Sequence, residues 1–451
     1  MRKVSSRAKT VILLALLVLV GLAVFFVQYL FQAGDWVTFT GSPHVYTGTN
    51  LTTGTIRDRS GVLLLENSEG GRIYSSDETI RKATLHLLGD RYGYIPSPML
   101  SRYADQMAGF DPIRGIYGST GGEMTLTISA AANTTAYEAL AGRHGSVAVY
   151  NYKTGEVLCL LSAPSYDPDH MPDVENDTTG QYEGVYVNRP IAATYPPGSI
   201  FKLVTMAAAI ETLPNWQTSV YTCNGVTYVG GQEVRCLKVH GSVDLATALA
   251  KSCNVAFGEL AVELGAESMT ETAQRLGIMS RLVVDGLSTA AGSVDLQSAD
   301  DWDLAWAGIG QYTDLVNPVQ FMTLIGAIAN GGRAAQPYLV AAVDGAYEAE
   351  TVLMESAMAR ETAEQLATLM VNNVQTVYGS WNFPSMTVGA KSGTAEQEGA
   401  LPHATFAGFV QDENYPLAFV VVVENAGSGS EICIPVVNAV LNVLMQEMDM
   451  G

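Results

Sequence analysis

The chain has 451 residues, which is too long for one ordinary hydrophobic core and favours two or three domains. Only 15% of its residues are charged, below the roughly 25% of an average soluble protein, and 48% are hydrophobic. Its net charge of -21 argues against nucleic acid and anionic membrane surfaces as partners, because like charges repel.

The first predicted element is a long apolar segment behind a short basic tail. Four basic residues precede it: Arg2, Lys3, Arg7 and Lys9. Residues 10–34 carry no charge, and Asp35 is the first charged residue after them. We therefore predict a cytoplasmic tail at 1–10 and a transmembrane anchor at 11–33, with the rest of the chain outside the cytoplasm by the positive-inside rule. A cleaved signal peptide is the alternative, although its apolar stretch is normally about 7 to 15 residues long.

Residues 34–140 alternate turn residues with short β-like runs, which predicts a β-rich N-terminal domain. A helix is expected to begin after Ser76 or Asp77, since either residue can cap the periodic segment that follows. The run that starts at Gly121 reads as a strand leading into a helix.

The second predicted domain, residues 141–451, begins and ends with apolar strands. Two strands after residue 145 are joined by a turn at 153–155, and a second strand pair near the C-terminus turns at 412–416. Helical periodicity lies between these pairs, at 200–212, 244–264, 318–330 and 361–376, and a last helix closes the chain. Strands from both ends with helices between them predict an α+β fold, in which helices cover one antiparallel sheet.

Five cysteines are too few for a disulfide framework. Cys223 and Cys236 flank a predicted hairpin that turns at Gly230 and Gly231, so they can close a disulfide across it or both stay free. Cys253 is expected to be a buried packing residue. We predict no metal site, because none of the six histidines has zinc-ligand spacing to these cysteines.

A serine at a predicted helix start is the first candidate for chemistry. Pro196, Pro197 and Gly198 form a turn before Ser199, and apolar residues at helical spacing follow. Serine is a favoured N-cap residue, so a structural role would account for it alone. Lys202 does not fit that role, because a cation in the first turn opposes the helix dipole.

Two further short motifs follow in order. They are Ser252-Cys253-Asn254 and Lys391-Ser392-Gly393-Thr394. With Ser199-x-x-Lys202 they match the S-x-x-K, S-x-N and K-[ST]-G set of penicillin-binding proteins and serine β-lactamases. Each motif alone is weak, but the ordered set indicates one active site. The sequence holds no α/β-hydrolase elbow and no His-Glu-x-x-His.

On these motifs the chain resembles a class B penicillin-binding protein, a single-pass membrane transpeptidase. The family has an N-terminal pedestal and a C-terminal domain of the penicillin-binding and serine β-lactamase-like fold. The stretch GTIRDRSGVLLLE, from Gly54, is similar to the family's pedestal signature, with Thr53 and Ser60 in place of its usual arginine and asparagine. The stretch from Tyr150 to Asp169 resembles the strand pair that opens the catalytic domain. The resemblance covers most of residues 50–430.

The resemblance implies a role for each residue of the first two motifs. Ser199 would be the nucleophile. Lys202 would take its proton, and would be neutral because of burial and the nearby charge of Lys391. Ser252 would relay the proton to the leaving amine, and Asn254 would hold the peptide stem and orient Lys202.

The third motif would bind the donor peptide. Lys391, Ser392, Gly393 and Thr394 would receive its terminal carboxylate through charge-assisted contacts. The backbone N–H groups of Ser199 and Thr394 would form the oxyanion hole. The resemblance implies no cofactor.

The implied activity is D,D-transpeptidation of peptidoglycan through a serine acyl-enzyme. The implied partners are stem peptides ending in D-Ala-D-Ala, β-lactams that acylate the same serine, and a separate glycan polymerase of the division or elongation machinery. Three alternatives stay open: a D,D-carboxypeptidase, a membrane-anchored serine β-lactamase, and a non-catalytic assembly platform.

Three other polar or aromatic residues are given structural roles. Glu396, just after the third motif, is expected to be a solvated or structural acid rather than a general base. Trp302 and Trp306, four residues apart, are expected in the core rather than at a sugar-binding surface.

Overall fold

The N-terminus forms one long, exposed helix. The computed structural model describes residues 2–68, 70–111, 113, 115–116 and 121–450. Helix α1 runs Arg2–Thr38, and its apolar side chains between residues 11 and 27 are exposed on every side. The helix is longer than the predicted span of 11–33, and its surface is of the kind that a bilayer covers.

Residues 46–140 build a first sheet and the helices next to it. The elements are β1 (Tyr46–Thr47), β2 (Asn50–Leu51), β3 (Gly54–Arg57), β4 (Leu63–Ser68), β5 (Gly71–Tyr74), α2 (Glu78–Leu88), α3 (Pro98–Arg102), α4 (Ala104–Met107), β6 (Phe110–Asp111), β7 (Gly115–Ile116), β8 (Glu123–Leu126) and α5 (Ala130–Leu140). Helix α2 begins after Asp77, as predicted, because the Asp77 carboxylate accepts bonds from the N–H groups of Thr79 and Ile80.

We call the rest of the chain the catalytic part, after the role that its motifs predict. Its elements are β9 (Gly145–Asn151), β10 (Val157–Ala163), α6 (Arg189–Ala192), a 3-10 turn (Gly198–Phe201), α7 (Lys202–Thr212), β11 (Val220–Cys223), β12 (Val226–Val229), β13 (Gln232–Arg235), β14 (Gly241–Asp244), α8 (Leu245–Ala250), α9 (Asn254–Arg275), β15 (Val283–Val284), β16 (Leu287–Ser288), α10 (Asp301–Ala307), α11 (Pro318–Ala329), β17 (Val340–Val343), β18 (Tyr347–Glu348), α12 (Arg360–Asn373), a π turn (Val374–Tyr378), a second 3-10 turn (Ser380–Asn382), β19 (Val388–Ala395), β20 (His403–Val410), β21 (Leu417–Val423) and α13 (Gly429–Met450).

A five-stranded antiparallel sheet is the centre of the catalytic part. Its order is β10-β9-β21-β20-β19, so strands from the two ends of this region lie side by side. Every residue of β9, β10 and β21 is buried, because helices cover the sheet. Helix α11 packs on β9, β20 and β21, helix α5 on β10, and helix α13 on β19, β20 and β21. The predicted α+β fold, with one antiparallel sheet covered by helices, is confirmed.

Helix α13 is also apolar along its length, yet it belongs to this core. Among the described residues, Val4–Thr38 and Gly429–Asp449 are the two helical stretches long and apolar enough to cross a bilayer. The second packs against α5, β20 and β21, and nearly half of its most apolar window is buried. We therefore treat it as a core helix.

The first sheet includes strands from the catalytic part. Its order is β18-β17-β8-β3-β4-β5, with Val340 opposite Leu126 and Val343 opposite Met124. Helix α5 also crosses this boundary: it lies within the predicted N-terminal domain but packs on β10 and α13 of the catalytic part. The division into 34–140 and 141–451 stays a prediction, but strand pairing and helix packing both cross it.

Asp58, in the pedestal signature, joins the first sheet to α5. Its buried carboxylate accepts bonds from the N–H groups of Ser60 (2.9 Å), Val62 (2.8 Å) and Ala130 (2.9 Å). From Ser60 this contact uses only the backbone N–H, so it does not depend on whether the side chain is serine or asparagine. Thr53 bonds through its hydroxyl to the carbonyl of Met107 (3.3 Å).

An ion pair makes a second connection between the two parts. The Arg81 guanidinium, on α2, donates two bonds of 2.7 Å to the two carboxylate oxygens of Asp167, which follows β10. Both side chains are almost fully buried. A two-pronged contact of this kind fixes orientation as well as distance.

A small lobe, residues 220–244, projects beside the active site. It consists of two two-stranded sheets, β11 with β14 and β12 with β13. The predicted hairpin is present, and Gly230 and Gly231 adopt φ values of +57° and +82° that favour glycine. The predicted single helix at 244–264 is wrong, because α8 ends at Ala250 and Ser252 has a φ of +54°, which no α-helix accommodates.

Candidate active site

The turn before α7 presents Ser199. Gly198 has a φ of +57°, and a Cβ there would lie 2.8 Å from the carbonyl oxygen of Thr394, so only glycine fits. The same residue donates its N–H to the carbonyl of Gly310 (2.9 Å). Ser199 is therefore held on a braced 3-10 turn beside strand β19, with its side chain partly exposed.

Lys202 begins α7 and lies buried beside this serine. Its Nζ is 3.1 Å from Ser199 Oγ and 3.1 Å from Ser252 Oγ. It also donates to the carbonyl of Ser252 (2.9 Å) and to Asn254 Oδ1 (2.7 Å). The first two predicted motifs thus meet at a single amine.

Ser252 bridges the two lysines. Its positive φ, in the break between α8 and α9, brings its hydroxyl to the middle of the site. There Oγ lies 3.1 Å from Lys202 Nζ and accepts a bond of 3.1 Å from Lys391 Nζ. Asn254 is fixed in turn, since its Nδ2 donates to the carbonyl of Arg235 (2.9 Å).

Burial sets the charge of both lysines. It lowers the pKa of Lys202 well below its usual value, and the neighbouring charge of Lys391 lowers it further, while Cys236 and Cys253 oppose the shift. Burial also lowers the pKa of Lys391 to about 7. The lowered pKa favours the neutral form of Lys202, and a neutral amine can accept the proton of Ser199.

Strand β19 carries the third motif along the edge of the site. A Cβ on Gly393 would lie 2.2 Å from Thr405 Oγ1 and 2.7 Å from the carbonyl of Pro197, so this residue lets the strand touch the turn of Ser199. Ser392 is partly exposed and Thr394 is exposed, as binding of a ligand requires. Lys391 also donates to the carbonyl of Ser392 (2.7 Å).

Comparison with known proteins identifies the family to which this region belongs. A family model for the penicillin-binding protein transpeptidase domain matches residues 145–442. The chain belongs to this family. The predicted enzyme class, a D,D-transpeptidase, is confirmed by this match and by relatives of that name. The motif residues thus lie within a region whose family is known.

Relatives match over most of the chain. The peptidoglycan D,D-transpeptidase PbpA of Mycobacterium tuberculosis is 28% identical over 379 residues, which cover 76% of this chain and 75% of that protein. A crystal structure of the D,D-transpeptidase domain of a peptidoglycan glycosyltransferase from Eggerthella lenta is 26% identical, with a TM-score of 0.76, over 88% of this chain and 99% of that one. Penicillin-binding protein A of M. tuberculosis, solved as a ceftriaxone acyl-enzyme, is 26% identical, with a TM-score of 0.73, over 86% and 97%.

Two residues of the site carry no signal in the sequence. Tyr378, at the end of the π turn, accepts a bond from Ser392 N–H (2.9 Å) and lies 3.0 Å from Ser392 Oγ. Glu424, just after β21, accepts bonds from Arg189 Nε (2.8 Å) and Tyr195 OH (2.8 Å) and so holds the segment that leads to Ser199. Neither residue belongs to a motif with fixed spacing along the sequence, so only the fold brings them to the site.

The residues given structural roles behave mostly as expected. Glu396 is exposed. Trp306 packs partly buried against the core, whereas Trp302 lies over the small lobe and donates to the carbonyl of Glu233 (3.2 Å). Cys253 is fully buried, as expected, and its Sγ lies 3.6 Å from Cys236 Sγ.

The cysteines adopt one of the two predicted states. All five are free thiols, so Cys223 and Cys236 form no disulfide in this structure. The absence of a metal site stays a prediction, and it rested only on spacing along the chain. The fold places His240 and three cysteines, Cys223, Cys236 and Cys253, in one group that could hold a metal ion.

Proposed function

We propose that the chain cross-links peptidoglycan as a D,D-transpeptidase. Ser199 Oγ attacks the carbonyl of the penultimate D-alanine of a donor stem peptide and loses its proton to neutral Lys202. The proton passes through Ser252 to the leaving nitrogen, the C–N bond breaks, and D-alanine departs. An amine of a second stem peptide then attacks the acyl-enzyme, gives up a proton along the same route, and frees Ser199.

One observation carries the proposal. Lys202 Nζ lies 3.1 Å from both the attacking oxygen of Ser199 and the relay oxygen of Ser252, and burial lowers its pKa and so favours the neutral amine. Geometry and charge state therefore both suit general-base catalysis. The assembly-platform alternative explains neither of them, since a scaffold needs no neutral buried lysine.

Substrate binding follows from the edge of β19. Lys391, Ser392 and Thr394 would receive the carboxylate of the terminal D-alanine, or of a β-lactam, and the ligand's charge would favour protonated Lys391. Gly393 keeps this edge close to the nucleophile. The N–H groups of Ser199 and Thr394 would stabilise the oxyanion, because the turn and the strand lie in contact.

The test is labelling with a fluorescent penicillin. Full-length protein in detergent should form a stable fluorescent adduct. Ser199→Ala should form none, and a matched control at an exposed serine, Ser298→Ala, should label like the wild type. No adduct on folded wild-type protein, or an equal adduct on Ser199→Ala, would refute the serine acyl-enzyme.

A second assay separates cross-linking from hydrolysis. Purified protein is given a D-Ala-D-Ala pentapeptide together with a D-amino acid as acceptor. A transpeptidase yields the exchanged peptide, whereas a carboxypeptidase yields mainly the shortened one. A β-lactamase would instead release hydrolysed penicillin and lose its fluorescent label within minutes.

We propose a single-pass membrane location for the same chain. Residues 11–33 would cross the cytoplasmic membrane, the basic tail at 1–10 would stay in the cytoplasm, and the catalytic part would face the wall with a separate glycan polymerase as partner. Protease added to intact spheroplasts should digest a C-terminal tag and spare an N-terminal one. The reverse pattern would exclude this topology.

A further inference from the structure

A group of soft metal ligands lies behind the active site. The ligand atoms of Cys223, Cys236, His240 and Cys253 all lie within 4.8 Å of one another. Cys236 Sγ is 3.6 Å from Cys253 Sγ, and Cys223 Sγ is 3.5 Å from His240 Nδ1. These residues come from strand β11, the segment after β13, and the start of α9.

We propose that these four side chains bind one zinc ion. In a tetrahedral site with Zn–S near 2.3 Å and Zn–N near 2.0–2.1 Å, two sulfurs stand about 3.8 Å apart, and a sulfur and a nitrogen about 3.6 Å apart. The two measured separations agree with these values to within a few tenths of an ångström. Three thiolates with one imidazole are a ligand set that selects zinc among divalent ions.

The surroundings favour thiolates as well as the geometry does. Cys236 Sγ accepts bonds from the N–H groups of Asn254 (3.0 Å) and Val255 (3.3 Å), and Cys253 Sγ accepts one from Ala256 (3.4 Å). All three donors lie in the first turn of α9, whose dipole favours negative charge at this end. On metal binding each thiol would release its proton to solvent.

The small lobe, residues 220–244, gives the ion a structural role. Its two sheets have two strands each, and isolated two-stranded sheets are at best marginally stable. The segment from Cys236 to His240 buries little apolar surface, since Leu237 is 97% exposed and Val239 is 67% exposed. A metal ion that joins this segment to α9 would supply the missing stabilisation.

The ion would also position catalytic groups. Cys253 stands between Ser252 and Asn254, the two residues that hold Lys202. Cys236 bonds to the backbone N–H of Asn254 itself. Fixing both sulfurs would therefore fix the break between α8 and α9 that aims the Ser252 hydroxyl.

Metal content tests the proposal directly. Full-length protein, purified in detergent with a non-thiol reductant and without chelators, should contain about one zinc ion per chain. Exchange for Co²⁺ should give the visible bands of tetrahedral cobalt and a sulfur-to-cobalt charge-transfer band. The double variant Cys236→Ser/Cys253→Ser should lose both the zinc and the bands.

Two further variants guard against loss of folding. His240→Ala removes a half-buried ligand with little packing, and should weaken zinc retention against a competing chelator by about 10-fold or more. Cys159→Ala/Cys433→Ala removes the other two thiols, which lie outside the group, and should keep the full zinc content. Wild-type protein that holds far less than one zinc after incubation with Zn²⁺, or that shows a Cys–Cys disulfide instead, would overturn the proposal.

The positioning role has a separate readout. Chelation of zinc from wild-type protein should slow penicillin acylation at saturating ligand by about 10-fold or more, and added Zn²⁺ should restore the rate. Unchanged acylation in zinc-free, folded protein would exclude that role. The zinc measurement does not depend on acylation, so failure of the transpeptidase proposal and failure of the metal site can be told apart.

Discussion

Lys202 works as a base only because its environment denies it a charge. Burial is the main cause of its lowered pKa, and the charge of Lys391 is the second. Of the other groups that face it, Cys236 and Cys253 act in the opposite direction. The contribution of Lys391 can be separated, because methionine has a similar size and no charge.

We expect Lys391→Met to shift the acidic limb of the acylation rate to higher pH. Loss of the neighbouring charge raises the pKa of Lys202, so more of this base is protonated at low pH. The effect should be confined to pH values below about 7, where wild-type Lys391 is charged. The measurement is the rate of acylation at high penicillin concentration across pH. An acidic limb that stays in place would mean that burial alone sets the pKa of Lys202.

Tyr378 offers a second prediction at this scale. Tyr378→Phe removes the acceptor for Ser392 N–H at the edge of β19 and leaves that donor without its partner. The cost of a lost hydrogen bond, about 1 kcal/mol, corresponds to acylation slower by about 5- to 10-fold. The control is Tyr312→Phe, a change at an exposed tyrosine. Equal rates in both variants would show that Ser392 is held by other contacts.

Motif spacing predicted some catalytic residues well and could not predict others. Ser199 and Lys202 lie one helical turn apart, so their spacing in the sequence predicts their contact. Tyr378 and His240 reach their partners only through tertiary packing, and a single tyrosine or histidine has no spacing to read. The prediction of no metal site has the same limit, because it rested on spacing alone.

At the scale of elements, the pair of Arg81 and Asp167 links α2 to the segment after β10. Hydrogen bonding from Arg81 is the main reason that the pKa of Asp167 lies well below its usual value. A carboxylate with a lowered pKa stabilises the folded state above its unfolded pKa. That stabilisation is lost as the pH falls towards the folded pKa.

We expect Arg81→Met to lower the free energy of unfolding by about 3–5 kcal/mol near pH 7, because it leaves a buried carboxylate unpaired. The difference from wild type should shrink as the pH falls, because burial without Arg81 raises the pKa of Asp167 and its carboxylate takes up a proton. Chemical denaturation at several pH values measures both effects. The double variant Arg81→Met/Asp167→Asn should recover part of the loss, and no recovery would show that packing by Arg81 is the cause.

Elements with strong periodicity were predictable, and interrupted ones were not. Strands β20 and β21 are apolar runs separated by turn residues, so their hairpin could be predicted from the sequence. The break at Ser252 is different, because alanine-rich and apolar residues continue on both sides of it. Only the contacts of its side chain with Lys202 and Lys391 explain the positive φ.

For the molecule as a whole, the active site is a source of instability. Lys391 is fully buried, with a pKa of about 7 against 10.5 for the exposed side chain. Between these values the unfolded chain binds more protons than the folded one, so this residue makes stability rise with pH. Below about 7 the unfavourable contribution is at its full size.

Lys391→Met should therefore stabilise the protein at neutral pH, although it weakens ligand binding. Its gain over wild type should decline by about 1.4 kcal/mol per pH unit between about 7 and 10.5, after which the slope vanishes. The test uses the slope of this free-energy difference against pH rather than its size. The hydrogen bonds lost with Lys391 also change the free energy of unfolding, but by an amount that does not depend on pH. Denaturation across this range measures it, and parallel curves for the two proteins would contradict the burial argument.

The pairing of β17 with β8 has a consequence for how the molecule is made. Strands β3, β4, β5 and β8 are synthesised early, yet two strands of their sheet, β17 and β18, come from far down the chain. Until those strands emerge, β8 has an unpaired edge that can bind to the wrong partner. Completion of the first sheet must wait for most of the catalytic part to be translated, so this sheet is among the last pieces of the protein to mature.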